Sequence, residues 1–295
     1  MNQHVCSHYD RQALQANGHR DTLRKCNNWI KRQMIDTAVR LTQSIQPIQS
    51  NQAKRRRHSE SNGERGKKNA TKSDKGEKLR ILDLGCGRGG DILKWNKYNV
   101  DYTGVDQSGE SINEAHRRAI VISMPTKFLH STIEEYLPQC QELYDVISMQ
   151  FVLHYMITSA SQLEILFQQC ARVLSQNGCI IASIVNVDAI NELMEEGSTH
   201  GQYMSANPIA DQDKQSTEIG FMYEFFLHGC VDNCIEFTIP REEIEKAADS
   251  AGLQIDSYKK FIEYDIENFN LHPSQYKTVA LYDSIRLSHK EKVEE

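Results

Sequence analysis

The stretch Leu82-Asp83-Leu84-Gly85-Cys86-Gly87-Arg88-Gly89-Gly90-Asp91 decides how the chain is read. It ends a short apolar run, 80–84, and turns at once into glycines. Gly85, Gly87 and Gly90 fit G-x-G-x-x-G, between that strand and a helix expected over 91–96. Glycines there let the backbone turn tightly and approach a ligand closely. Asp106 stands 21 residues after Gly85 and ends the next apolar run, 102–106. An acid in that place can bind two ribose hydroxyls. Taken alone, this turn and its acid suit a nicotinamide dinucleotide as well as any other adenosyl ligand.

Working outward, the pattern repeats. A helix is expected over 108–122, strands over 127–129 and 144–149, a helix over 161–174, a turn at Asn177-Gly178 and a strand over 179–184. Strands alternating with helices at this spacing predict an α/β fold with a doubly wound sheet. Further on, 197–219 is polar and reads as loop, while 221–228 and 234–237 read as strands. A helix is expected over 241–251, ended by Gly252, and strands over 255–262 and 278–287. Upstream, Leu23, Trp29, Ile30, Met34, Ile35, Ala38, Val39 and Leu41 recur as on an amphipathic helix over 21–45, which Pro47 is expected to end. The segment 46–78 is rich in Lys, Arg, Ser, Asn and Gly, and is expected to be a disordered basic linker.

Composition sets the outer bounds. The 295 residues carry a net charge of −6, yet from Lys54 to Arg80 eleven Lys/Arg face four Asp/Glu, so the remainder is near −13. An acidic body with one basic segment is not built for nonspecific coating of nucleic acid. Lys54-Arg55-Arg56-Arg57 reads as a nuclear-localisation signal, an RNA-phosphate contact or a solvated linker. The eight cysteines form no C-x-x-C pair, so they read as reduced thiols of a nuclear or cytoplasmic protein. Cys230 and Cys234 lack partners at zinc-site spacing, and no metal is expected. No apolar run approaches the roughly 20 residues needed to span a bilayer, and no membrane association is expected.

Two features favour S-adenosylmethionine (SAM) over a dinucleotide. Asp83 directly precedes the turn, as in the D-x-G-x-G signature of SAM-dependent methyltransferases. The C-terminal apolar runs also supply the antiparallel strand with which such a domain ends. The run 82–91 then closely resembles the cap guanine-N7 methyltransferase family, whose usual form is DLGCGKGGD. Asn27-Asn28-Trp29-Ile30-Lys31 is similar to that family's N-terminal motif, and Gln150-Phe151-Val152-Leu153-His154-Tyr155 to its QF-x-x-HY motif. Asn233-Cys234-Ile235-Glu236 and Ala280-Leu281-Tyr282 match two further family positions. The resemblance runs from Tyr9 to Leu287 with all five motifs in order.

The resemblance implies a Rossmann-like class I methyltransferase: a mixed seven-stranded sheet with helices on both faces. Its division would be an N-terminal segment and helix covering the SAM site (1–45), the basic insert (46–78) and the methyltransferase domain (79–295). It implies methyl transfer from SAM to guanine N7 of a GpppN-capped mRNA, leaving S-adenosylhomocysteine (SAH). Lys31, Gly85, Gly87, Asp91, Asp106, Ser131, Gln150 and Tyr155 would bind SAM, with Lys31 at its carboxylate, Asp91 at its amino group and Asp106 at its ribose. His154, Tyr155, Glu236 and Tyr282 would surround the guanine, positioning it without a general base. Asn27, Arg88 and Arg118 would lie near the cap phosphates. A monomer is expected, in the nucleus with 54–57 as its localisation signal or in the cytoplasm, with other capping enzymes or an activating subunit as further partners. Three departures stand out: Arg88 replaces the usual Lys, His130-Ser131-Thr132 lacks an acid near the adenine, and Val185 stands where the family often has Pro. The rival readings are a SAM-dependent methyltransferase with a small-molecule or protein acceptor, and a non-catalytic cap- or RNA-binding relative.

Overall fold

The computed structural model describes residues 18–58, 78–196, 203–209 and 219–291. At its centre β1 (Leu79–Leu84) is buried at every position but Arg80, and β4 (Tyr144–Met149) is buried throughout. Such runs suit inner parallel strands covered on both faces. With β2 (Val100–Asp106), β3 (Thr126–His130), β5 (Leu174–Val185), β9 (Leu253–Lys260) and β10 (Tyr282–His289) they form a seven-stranded sheet in the order β3-β2-β1-β4-β5-β10-β9. The first five strands are parallel, and β10 runs antiparallel between β5 and β9. The mixed sheet implied by the resemblance is therefore present. The strand order reverses between β1 and β4, so a crevice opens at their carboxyl ends.

Two clusters of buried side chains mark the two faces of the sheet. One lies under α1 (Gly18–His58), α2 (Ile92–Trp95), α3 (Gly109–Val121) and α9 (Pro273–Ala280). The other lies under α4 (Ile133–Gln139), α6 (Ala160–Val173) and α8 (Arg241–Ser250). On α1, Leu23, Cys26, Ile30, Met34, Ala38 and Ile35, Val39 follow helical spacing and are all buried, and the helix packs across β4 and β5. Each large apolar side chain so buried contributes about 1.5–3 kcal/mol. That packing holds the Asn27–Lys31 turn of α1 over the crevice. Ser108 caps α3 by accepting from Ser111 N at 3.1 Å, and Thr132 with Glu135 forms a capping box on α4.

A second, three-stranded antiparallel sheet joins β6 (Met204–Pro208), β7 (Met222–Leu227) and β8 (Val231–Phe237). Its buried Met204, Tyr223, Phe225 and Cys234 extend the α1 side of the core. The short helix α5 (Leu153–Met156) packs on β8.

Several expectations change. Helix α1 continues past Pro47 to His58, so Pro47 does not end it and 46–58 are helical. This tail is mostly Gln, Lys, Arg and Ala, whose helix propensities offset the one hydrogen bond a proline removes. The rest of the insert, 59–77, lies outside the described residues. Leu41 is exposed, unlike the other α1 positions in the apolar pattern. Asn177-Gly178 falls within β5, where the register with β4 jumps from Tyr144↔Leu174 to Val146↔Cys179 and the extra residues bulge out. Residues 278–280 end α9 instead of starting a strand, because Pro273 and the His272 cap commit 273–280 to helix. Helices α4 and α7 (Val187–Glu196) and strand β6 add elements that periodicity alone left as connections.

Candidate active site

The crevice holds a cavity of about 590 Å³. Asn27, Lys31, Gly85, Gly87, Arg88, Asp91, Asp106, Arg118, Ser131, Gln150, His154, Tyr155 and Tyr282 all line it. Sites on α1, the glycine turn, α3, the ends of β2, β3 and β4, α5 and the start of β10 thus converge. Tyr282 arrives because β10 runs antiparallel: its first residue pairs with Val185, the last of β5, at the sheet's carboxyl edge.

The turn after β1 is built by its glycines. Gly85 adopts φ +70°, and a Cβ there would lie 2.4 Å from Val152 Cγ2. Gly89, at φ +71°, would drive a Cβ to 2.3 Å from Ile92. Gly90, third in the motif, has no such constraint: a Cβ there meets nothing within 4 Å. Gly87 N donates to Asp106 Oδ2 at 2.8 Å and Ser108 N to Asp106 Oδ1 at 2.9 Å, which fixes that carboxylate at the end of β2.

Charge concentrates at the other end of the turn. Lys31 Nζ reaches Asp91 at 2.9 Å across from α1. Lys94 Nζ, from α2, reaches Asp91 Oδ1 at 2.5 Å. Burial would raise the Asp91 pKa, but Lys31 and Lys94 outweigh it and hold the carboxyl below its ordinary value. Behind the turn, Asp83 is buried and accepts from the Tyr102 hydroxyl at 2.7 Å. Burial, and then the Asp91 charge, push Asp83 up to about 7.

The opposite wall is aromatic. The His154 ring lies 4.2 Å from Tyr155 and 6.1 Å from Tyr282, and Phe151 meets Tyr282 edge-on at 4.8 Å. Phe151 takes a left-handed φ of 59°, held by a 2.7 Å bond from its N–H to Ser183 Oγ. This strained corner turns the chain from β4 into α5 and aims 150–155 at the cavity. Burial drops His154 to about 3, so its imidazole is neutral. Glu236 does not line the cavity itself. It is 1% exposed on β8 behind Tyr155, accepting from the Tyr155 hydroxyl at 3.0 Å and the Tyr223 hydroxyl at 2.7 Å. Burial pushes Glu236 up to about 7, while both tyrosine hydroxyls pull it down.

At the rim Arg118 is held by Glu114 at 2.9 Å, and Ser131 Oγ donates to Thr132 O at 3.1 Å. Three participants escaped the sequence reading. Lys94 is buried in an apolar turn one helical step from Asp91, Tyr223 pairs in register with Glu236, and Gln107 follows Asp106. Only Gln107 carried a local signal, its adjacency to the acid.

Among the described residues, Asn27 Oδ1, Gln107 Nε2, both side-chain ends of Gln150 and His154 Nδ1 are buried with no hydrogen-bond partner. These five atoms belong to residues on this one cavity, whereas Trp95 Nε1, also unpartnered, does not. Native proteins rarely orphan buried polar atoms, so their clustering marks a polar ligand of extended shape. Paired cationic and anionic groups at one end and a ribose-type acid at the other fit the amino acid and nucleoside of SAM.

Comparison with known proteins gives the family. The mRNA (guanine-N(7))-methyltransferase domain matches residues 66–292. The mRNA cap guanine-N(7) methyltransferase of Schizosaccharomyces pombe is 29% identical over 63% of this chain and 55% of its own length. That of Drosophila melanogaster is 27% identical over 91% of this chain and 63% of its own. The chain thus spans about half to two thirds of the length of these two relatives. Among solved structures, a SAM-dependent methyltransferase from Clostridium acetobutylicum superposes with a TM-score of 0.50 at 16% identity, covering 72% of this chain and 84% of that one; it speaks for the fold alone. With the match reaching across the whole catalytic sheet and the second sheet that carries Glu236, the chain belongs to the mRNA (guanine-N(7))-methyltransferase family.

Proposed function

We propose that the protein methylates N7 of the cap guanine of GpppN-capped RNA, with SAM as donor. The observation that carries this reading is one cavity with the Lys31–Asp91 pair and the glycine turn at one end and His154 and Tyr155 at the other, with the Glu236 carboxylate bonded behind Tyr155. SAM supplies a methyl group already activated on a sulfonium. Guanine N7 has a free lone pair and no proton to lose, so no general base is needed. The chain's own work is alignment, which in favourable cases supplies roughly 7–11 kcal/mol.

In this reading Lys31 receives the carboxylate of the amino acid, Asp91 its ammonium, Asp106 the ribose hydroxyls, and Gln150 a further polar contact. Ser131 and Gln107 take the adenine end in place of the acid the family often has. On the guanine, His154 is neutral and carries one ring N–H to donate to O6. Glu236 lies behind Tyr155, so its bonds to N1–H and N2–H need the Tyr155 ring to give way to the bound base; when ionised it offsets the positive charge that develops on the methylated base. Its two tyrosine donors leave each carboxylate oxygen with lone-pair capacity. Tyr155 and Tyr282 pack the ring plane, and Asn27, Arg88 and Arg118 face the phosphates. Nuclear location through 54–57 and contacts with other capping enzymes or an activating subunit belong to the same proposal.

The test is methyl transfer from labelled SAM to GpppG and GpppA, with m7GpppG as control. Transfer to the first two and none to the third is expected. No transfer to any cap by a chain that binds SAH would overturn the acceptor assignment and favour a different one.

A further inference from the structure

Lys94 is announced neither by the glycine motif nor by the N-terminal motif, yet it lies at the heart of the charged cluster. Its side chain is 6% exposed. An ammonium has three hydrogens, and the structure engages all three: Asn28 Oδ1 at 2.8 Å, Gly90 O at 3.1 Å and Asp91 Oδ1 at 2.5 Å. Lys94 therefore joins three segments, α1, the glycine turn and its own helix.

The cluster also holds an exchangeable pair. Two cations, Lys31 and Lys94, face the single carboxylate of Asp91, and both pairs are largely shielded from water. Buried charge without a partner is costly, so Lys31 can leave Asp91 only when another anion receives its ammonium and another cation takes its place on the carboxylate. An α-amino acid brings an ammonium as well as a carboxylate. Its ammonium can replace Lys31 on Asp91 and its carboxylate can take the freed Lys31, so the exchange conserves charge. Lys94, fixed by its three bonds, stays on Asp91 throughout.

We propose that Lys94 is a positioning residue for the amino-acid end of the SAM site, holding Asp91 in place through Asn28 and Gly90 while Lys31 exchanges onto the ligand carboxylate. This rests on the SAM reading. It requires that Lys94 matter for ligands with an amino-acid group and not for the nucleoside alone.

The experiment titrates the full chain calorimetrically with SAH and with 5′-methylthioadenosine, an adenosine thioether without the amino acid. Lys94→Met is expected to weaken SAH by about tenfold or more, the loss of a charge-assisted contact, and to leave methylthioadenosine within about twofold. Lys94→Arg should restore part of the SAH affinity. Equal weakening of both ligands, or no weakening of SAH, would overturn the proposal. If Lys94→Met does not fold, Asn28→Ala, which removes one of the three bonds, is read by the same contrast. Failure of the unaltered chain to bind either ligand would instead overturn the SAM reading itself.

Discussion

Glu236→Gln should stabilise the protein at alkaline pH while abolishing cap methylation. Glu236 is buried at 1% exposure, and its carboxyl is pushed by burial from 4.5 to about 7. The folded state thus keeps a proton that the unfolded chain releases above about pH 4.5. Between about pH 4.5 and 7 the wild type loses stability at about 1.4 kcal/mol per pH unit, roughly 3 kcal/mol in all, and the cost is constant above that. Glutamine is close in shape to the protonated acid. Its amide oxygen can accept from one tyrosine, and its NH₂ can donate to the other hydroxyl oxygen. At pH 5 the two proteins should therefore be equally stable within about 1 kcal/mol. At pH 8 the variant should be more stable by up to roughly 3 kcal/mol. Urea unfolding at the two pH values measures this, and labelled methyl transfer to GpppG measures the activity. A variant no more stable at pH 8 than at pH 5, relative to wild type, would refute the buried-carboxylate argument. Full cap activity in the variant would refute the guanine role.

Four further outcomes follow from the same structure. Methyl transfer should fall as pH drops below about 7, since protonated Glu236 loses its second acceptor, and Tyr155→Phe should move that limb to higher pH by removing one hydroxyl that stabilises the ionised form; a pH–rate profile unchanged by the substitution would disprove the coupling. Gly85→Ala should lose SAH binding and cost about 1–3 kcal/mol or more through its left-handed φ and the Val152 contact, whereas Gly90→Ala should leave thermal stability unchanged. His154→Phe should unfold no more readily than wild type, because a neutral buried ring is exchanged for an apolar one, yet kcat/KM for GpppG should fall by about tenfold or more with the loss of one donor. Neutralising Lys54, Arg55, Arg56 and Arg57 with glutamine should weaken use of long capped RNA more than of GpppG, and should flatten the salt dependence of the former.

Much of this protein was legible along the chain because its signals are local. Glycines that need a left-handed φ, an acid at the end of the next strand and apolar runs of strand length are adjacent in sequence, and they placed the crevice at β1 and β2. Helical spacing likewise gave the buried face of α1, with Leu41 as its one miss. Gly89 rather than Gly90 meets a neighbour from α2, so the motif's third glycine carries no steric demand. Helix α1 runs through Pro47, where the local stop signal of a proline is overridden by the length of helix on either side.

Short-range backbone preference and spacing account for the alternating strands and helices, the glycine turn and Asp106, whereas most other cavity residues, Lys31, Gln150, His154 and Tyr282 among them, are legible only through motifs shared with the cap methyltransferases. Which charges meet depends on the packed fold alone. Lys31 and Asp91 are 60 residues apart, Lys94 and Asn28 66, and Tyr155 and Glu236 81. Burial sets whether such groups are ionised, and burial is a property of the packed fold. A lysine in an apolar turn, a tyrosine on an alternating strand and a carboxylate behind it acquire their roles only when α1, α2, α5 and the second sheet close around them and exclude water.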